Sequence, residues 1–421
     1  MIRIGIVGCG RILAAHLRGY QILREAGVND FRITALCARK VEDASMYVQR
    51  EAGPTQRPPV GKGDGDPLAI GDRYLSDFQE TDDVRIFTDY REMMTAAPID
   101  AVNDFTTHAL HHQVAEAALN AGHHLLTQKP LAVSIAAGRR MCELADKLGL
   151  VLGVFENARF RSDTRQLSWL FQTPNWGQLK MVVMNNIGNW WAPDRIVAET
   201  PWRHVREDGG GLTLDIGVHL FNHLRAVAGE IKTVSAKTSI QELLRTTRDA
   251  SGKIIETIEC DADDTLVASF ETERQVLGSL TASWSGHGEP IVSGSGRGTC
   301  YFGSKGSVIG DEICWDGERR QSLQQLYRDE CDAETMKQHA PLGLEDQFAI
   351  NQHDWLEAIR NETTPETSGW EGLRDLAAAF AVLESSETGQ RIQVDEVFNG
   401  KIRQYQRCID EKYGLVGAEG I

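Results

Sequence analysis

The sequence predicts an α/β chain: an N-terminal doubly wound parallel sheet of the Rossmann type, followed by an α+β region with an open, mostly antiparallel sheet. Three observations predict this. Strand-like and helical segments alternate up to about residue 150. The first strand, Ile2 to Val7, runs directly into Gly8-Cys9-Gly10 and a helical stretch carrying Ala14, Ala15 and His16. From about residue 175, strands succeed one another across turns, with few helices between them.

In the first region, periodicity predicts strands at 2–7, 31–37, 100–105, 123–127 and 150–155, with helices at 11–26, 40–51, 108–121 and 134–148. A polar stretch from Gly53-Pro54 to Asp83, rich in Gly, Pro and Asp, reads as an exposed excursion at a possible subunit contact. In the second region, strands are expected at 178–187, 231–240, 253–259, 264–271, 275–284 and 298–302, with Asp249-Ala250-Ser251-Gly252 as a hairpin turn. Helices return at 346–360 and 370–387. The expected division is therefore residues 1–150 and 151–421, with the helices near 346–387 packing back on the first domain.

The bulk numbers narrow the function. A chain of 421 residues with 41% hydrophobic and 25% charged residues is an ordinary globular protein of about two domains. No apolar run approaches the roughly 20 residues that span a bilayer, and a strand starting at residue 2 leaves no room for a secretory signal, so a cytoplasmic protein without a membrane partner is expected. A net charge of −16 opposes the phosphate neutralisation that nucleic-acid binding needs. The eight cysteines are scattered without metal-ligand or redox spacing, so reduced structural thiols and no metal site are expected.

Candidate chemistry lies in three places. In the glycine turn, Gly8 permits the sharp bend and Gly10 close approach, so that backbone N–H groups and the positive end of the helix face a pyrophosphate. The third glycine of the usual pattern is Leu13 here, and an ordinary turn reads much the same. The second place is Gln128-Lys129-Pro130, which ends a buried-looking strand at the C-terminal edge of a parallel sheet, where ligands of doubly wound folds sit. A solvated lysine at a strand end is the plain alternative. The third is Gly209-Gly210-Gly211 followed by Asp215 and His219. These two are four apart and share a helix face, as a catalytic pair or as a capping carboxylate and a core imidazole.

Together these segments resemble the Gfo/Idh/MocA oxidoreductases, the group of glucose-fructose oxidoreductase and inositol dehydrogenase. The likeness runs over nearly the whole chain. Gly8, Gly10, Arg11 and Ile12 with His16 resemble the family's opening, and Thr106 with His111 its third cofactor segment. Gln128-Lys129-Pro130 resembles its Glu-Lys-Pro signature, Trp202-Arg203 its Trp-Arg pair, and Asp215-x-Gly217-x-His219 its catalytic helix. Residues 369–389 are similar to its closing helix. Gln128 replaces the usual Glu, Thr107 stands where Pro is usual, and Asn222 where an Asp often follows.

The resemblance implies hydride transfer between a nicotinamide cofactor and a hydroxyl-bearing carbon of a sugar, glycoside or cyclitol. His219 would take the hydroxyl proton, an imidazole with its ordinary pKa near 6.5 being suited to that task. Lys129 would stabilise the developing charge on the same oxygen, and Asp215 would hold a neighbouring hydroxyl or orient the base. Cofactor-binding residues would be Gly8, Gly10, Arg11, Ile12, Arg39, Thr106, His111, Gln128 and Lys129. Substrate contacts would come from Arg159, Trp191, Trp202, Arg203, Asp215 and His219. The second strand is followed by Ala38-Arg39-Lys40 with no carboxylate at its end, which leans towards NADP over NAD. Two other readings share these residues: a redox-neutral glycosidase or isomerase that keeps its cofactor, and a non-catalytic dinucleotide sensor. A homo-oligomer, dimer or tetramer, paired through the second sheet is also implied.

Overall fold

The computed structural model describes residues 1–61, 66–174, 176–188, 193–292, 298–317 and 319–415. The chain divides into two compact units, Met1–Phe160 with Ala340–Leu373 and Arg161–His339 with Arg374–Ile421. The first boundary thus falls at residue 160 instead of 150, and residues 340–373 belong to the first unit.

The first unit is a six-stranded parallel sheet made of β1 (Ile2–Val7), β2 (Phe31–Cys37), β3 (Arg85–Phe87), β4 (Ala101–Asp104), β5 (His124–Gln128) and β6 (Leu152–Phe155). The spatial order is β3-β2-β1-β4-β5-β6. Helices α1 (Leu13–Glu25), α2 (Val41–Ser45), α3 (Tyr90–Ala96), α4 (His111–Asn120) and α5 (Ile135–Leu148) connect the strands. β4 and β6 are buried along their full length, as strands covered on both faces must be. Ser134 starts α5 by accepting the Ala137 N–H, and Gly149, left-handed at φ 65°, ends it. Ile4, Ile6, Leu17, Phe31, Leu126, Phe155 and Trp355 form the core.

The order of strands reverses between β1 and β4, and this crevice is where a doubly wound sheet takes its ligand. Gly8 sits there at φ 97°, donating its N–H to the Cys37 carbonyl at 2.9 Å. A Cβ at Gly8 would come within 2.5 Å of the Phe105 carbonyl oxygen, so the crossing of the two chains requires glycine.

Two expectations change here. The helix expected over 40–51 stops at Ser45, because the Met46, Tyr47 and Val48 carbonyls accept bonds from Gln56, Leu75 and Ser76 instead of continuing a helix. The 53–83 stretch is correspondingly less exposed than its composition suggests. Leu75 is fully buried, and the Gln79 side chain bonds both the N–H and the carbonyl of Ile33 on β2. The three-residue strand β3 that follows is too short for periodicity to reveal.

The second unit opens with α6 (Ser162–Gln172) and β7 (Leu179–Ile187), then α7 (Val218–Ala228) and β8 (Ile231–Ser239). A separate hairpin, β9 (Leu244–Arg248) and β10 (Ile254–Glu259), turns at Asp249, whose carboxylate accepts the Ser251 and Lys253 N–H groups. The large sheet continues with β11 (Thr265–Thr272), β12 (Leu277–Ser283), β13 (Thr299–Gly303), β14 (Gly306–Ile309), β15 (Glu312–Trp315), β16 (Arg320–Ser322) and β17 (Ile392–Gln393). Its order is β16-β15-β14-β13-β7-β12-β11-β8-β17, antiparallel except where β12 meets β7. β11 alternates buried and exposed residues, so one face of the sheet carries the core and the other is open. Ser385 and Ser386 accept the N–H groups of Ala236 and Thr238, covering the edge of β8. The hairpin partner β9, the meander β14–β16 and the helices Leu323–Glu330 and Ala333–His339 were not expected from periodicity.

Replacing Gly8 by Ala should destabilise the fold by about 1–3 kcal/mol or more, from the positive φ and the backbone clash, and lower the unfolding temperature. Gly10→Ala, whose Cβ would meet nothing within 4 Å, should leave the unfolding temperature unchanged and weaken dinucleotide binding. Thermal denaturation with and without dinucleotide distinguishes the two.

Candidate functional site

In the first unit the site grows from the C-terminal ends of β1, β4 and β5. After Gly8 and Gly10 the chain passes Arg11 and Ile12 into α1, whose N-cap is Ile12 and which has no side-chain cap and no acidic residue in its first turn. A turn with open space at Gly10 and an uncapped helix start fits a phosphate. Tyr47 holds the turn by donating its phenol to the Gly10 carbonyl at 2.8 Å, and Arg11 donates its Nε to the Pro58 carbonyl at 3.2 Å. Arg39 and Lys40 are exposed just past β2.

The end of β4 is organised by a residue that sequence reasoning passed over. Asp104 is fully buried, and one oxygen accepts both the N–H and the hydroxyl of Thr106, at 3.0 and 2.7 Å. Its other oxygen accepts the Thr127 hydroxyl at 3.0 Å, tying β4 to β5. A carboxylate ending an apolar strand was the available signal. His111, the first residue of α4, lies between two carbonyls, with Nδ1 2.9 Å from Pro130 O and Nε2 3.4 Å from Thr106 O. Its ring therefore fastens the Lys129-Pro130 turn to the Thr106 loop.

Gln128 sits between two partners. Its amide nitrogen donates to His16 Nε2 at 2.7 Å, and its oxygen accepts the Lys129 N–H at 3.2 Å. His16 is fully buried, stacked on Phe105 at 3.8 Å and edge-on to Phe155, and burial holds its pKa well below the ordinary value. It is a neutral acceptor. Lys129 is half-buried at the end of β5. Arg159, within the same unit, pairs with Glu371 at 3.4 Å.

In the second unit, the three glycines run into a π-helical turn, Thr213–Gly217, that continues as α7. π-turns inside helices recur at functional sites. Asp215 lies in this turn and accepts from Arg203 Nε at 3.0 Å; both side chains are largely buried. The Arg203 guanidinium also bonds the Thr200 hydroxyl and lies 4.4 Å over the half-buried Trp202 ring. His219 follows on α7 and is half-buried, whereas Val218, Leu220, Phe221 and Asn222 around it are buried. Trp191 lies outside the described residues.

Two nearby histidines have structural positions. His223 lies between the Thr164 hydroxyl at 2.9 Å and the Tyr301 hydroxyl at 2.6 Å, and burial lowers its pKa to about 4. His204 accepts the Val197 N–H at 3.0 Å, and burial with the charges of Arg245 and Arg203 lowers it to about 3. Asp263, also missed from sequence, anchors the glycine run. It accepts the Thr213 N–H and hydroxyl at 3.1 and 2.6 Å, and a Cβ at Gly211, φ 106°, would strike its other oxygen. Burial pushes this carboxyl up to about 6, against the bonds from Thr213 that pull it down.

A doubly wound sheet with an uncapped glycine turn, in one chain with a unit built on a large, mostly antiparallel sheet, is the arrangement of a dinucleotide-binding protein with a second domain. Comparison with known proteins narrows the class. A model described as "Oxidoreductase family, NAD-binding Rossmann fold" matches residues 66–156, and the GFO/IDH/MocA C-terminal domain matches residues 165–309. The chain belongs to the Gfo/Idh/MocA family of NAD-binding oxidoreductases. It is 26% identical to D-xylose dehydrogenase of Paenarthrobacter nicotinovorans over 204 residues, covering 47% of this chain and 51% of that protein. It is 22% identical to myo-inositol 2-dehydrogenase of Thermotoga maritima over 401 residues, covering 94% and 99%. The chain spans 51%, 42% and 57% of the length of three of the curated relatives it matches. A levoglucosan dehydrogenase structure, in complex with NADH and L-sorbose, shares the fold with a TM-score of 0.68 at 18% identity, covering 93% of this chain and 98% of that one.

A raised carboxyl pKa means that the folded state favours the protonated form. Asp263 therefore contributes fully below about pH 4, and its contribution is lost as pH rises through about 6. The destabilisation caused by Asp263→Asn should shrink by about 2 kcal/mol between pH 4.5 and 7.5. Urea unfolding of both proteins across that range, in which the shared histidines cancel, checks it.

Proposed function

We propose that the protein is a cytoplasmic NAD(P)-dependent oxidoreductase acting on a CH–OH group of a sugar, glycoside or cyclitol. What supports this reading is the resemblance of Lys129, Asp215 and His219 to the family's lysine, aspartate and histidine, on a chain whose glycine turn fits a dinucleotide. The polyol dehydrogenases among its relatives point to the same substrate class. In this reading Gly8, Gly10, Arg11, Ile12 and Thr106 hold the dinucleotide, with Gln128 and His111 fixing the backbone around Lys129.

The bound nicotinamide supplies the hydride-accepting carbon. The protein's own part is to move a proton and to stabilise charge. His219 accepts the hydroxyl proton as the carbon gives up its hydride, since neither transfer is easy without the other. Lys129 donates a hydrogen bond to the oxygen as negative charge develops on it. Asp215, paired with Arg203, fixes a neighbouring hydroxyl, and Trp202 offers an apolar face to the sugar ring. Exposed Arg39 and Lys40, with no carboxylate at the end of β2, favour NADP.

Lys129→Met and His219→Asn should each lower turnover by about 100-fold or more while dinucleotide still binds, as followed by nicotinamide absorbance over a panel of sugars and polyols. Unchanged turnover in both would refute the assignment. The reading extends to a homo-oligomer formed by a second copy on the open sheet face. Val267 and Leu277 are more than half exposed there, and Leu277 lies in register with exposed Met181. Val267→Lys combined with Leu277→Lys should shift the mass measured by light scattering to that of a monomer.

A further inference from the structure

The excursion after α2 does not drift away from the glycine turn. Gln56, almost fully buried, fastens it: the amide nitrogen donates to the Met46 and Arg73 carbonyls at 3.0 and 2.6 Å, and the amide oxygen accepts the Arg73 N–H at 3.2 Å. The next residue, Arg57, forms an ion pair with Asp43 of α2. The residue after that, Pro58, accepts the Arg11 side chain. Arg11 belongs to the glycine turn itself, and Tyr47 bonds the Gly10 carbonyl.

These groups share one locality. Asp43 and Arg57 act in opposite senses on both the Cys9 thiol and the Tyr47 phenol, Asp43 pushing each pKa up and Arg57 pulling it down. The turn in turn abuts the end of β2, since Gly8 N–H and Cys9 Sγ both approach the Cys37 carbonyl, at 2.9 and 3.7 Å. In a doubly wound fold, the space between the glycine turn and the end of the second strand receives the adenosine ribose of the dinucleotide. A carboxylate there discriminates against a phosphate on the ribose 2′ position, and an arginine accepts it.

We propose that residues 54–61 form a wall of the adenosine end of the dinucleotide site, and that the Arg57–Asp43 pair sets its tolerance for a 2′-phosphate. This deepens the proposed function and rests on its dinucleotide site. Asp43 is the α2 carboxylate whose charge acts on Cys9 and Tyr47, and left alone it would repel a dianionic phosphate. Paired with Arg57, its charge is cancelled. The guanidinium has five N–H donors and the pair uses only some of them, which leaves capacity for phosphate oxygens. Arg11, Arg39 and Lys40 add positive charge to the same region.

The sign of the effect differs between the two partners, and this makes the test specific. Dissociation constants for NAD+ and NADP+ are measured by isothermal calorimetry on the wild type, Arg57→Ala and Asp43→Asn, with unfolding temperatures as a control for folding. Arg57→Ala exposes an uncompensated carboxylate, so NADP+ binding should weaken about tenfold or more while NAD+ binding changes little. Asp43→Asn should leave NADP+ binding as tight or tighter. Arg57→Gln, which keeps most of the side-chain length, gives the same comparison should the alanine variant fail to fold. An Arg57 substitution that affects both dinucleotides equally, or neither, overturns the inference, as does a wild type that binds NAD+ alone. A wild type that binds neither dinucleotide overturns the dinucleotide site itself and this inference with it.

Discussion

The first unit depends on one close backbone crossing. Gly8 passes within contact of the Phe105 carbonyl and bonds Cys37 O, so the ends of β1, β2 and β4 are locked together at the point where strand order reverses. That crossing sets where α1 begins and leaves its first turn without a cap. It also places Phe105, on which His16 stacks, beside Asp104, which holds Thr106 and Thr127. A side chain at residue 8 would separate these elements before any ligand arrived.

The second unit has an analogous anchor of a different chemical kind. Asp263 gathers the Gly209–Gly211 run and the π-turn by accepting from Thr213, and the Gly211 N–H reaches back to the Arg203 carbonyl. The turn that carries Asp215 and leads into His219 thus hangs from a buried carboxyl. Burying such a group is unfavourable unless it is bonded or protonated, and here it is both bonded and biased towards its neutral form.

Much of this was legible in the sequence because local rules and global fold agree. The strands β1, β2 and β5 are apolar runs bounded by glycine or polar residues, and helix α5 has a serine and a glycine at its ends, so their limits fall within a residue or two of expectation. What stayed hidden depends on long-range pairing. The early end of α2 is imposed by Gln56, Leu75 and Ser76, none of which is visible from the helix's own periodicity. β3 and β14–β16 are three or four residues long and exist because neighbouring strands complete their hydrogen bonds. In the candidate site, glycines and the lysine, aspartate and histidine could be picked out by type and spacing. Asp104 and Asp263 could not, since their importance lies in what they are bonded to.

Gln128 makes the contact between β5 and His16 beneath Lys129 one without a titrating member. An amide cannot ionise, and the imidazole it faces is too deeply enclosed to take a proton at ordinary acidity. The Gln128 oxygen therefore holds the Lys129 N–H through the same uncharged contact in acid and in base. A carboxylate in that seat would have given a local field varying with its own ionisation, whereas here any acid sensitivity of the reaction must originate elsewhere in the chain or in the ligand.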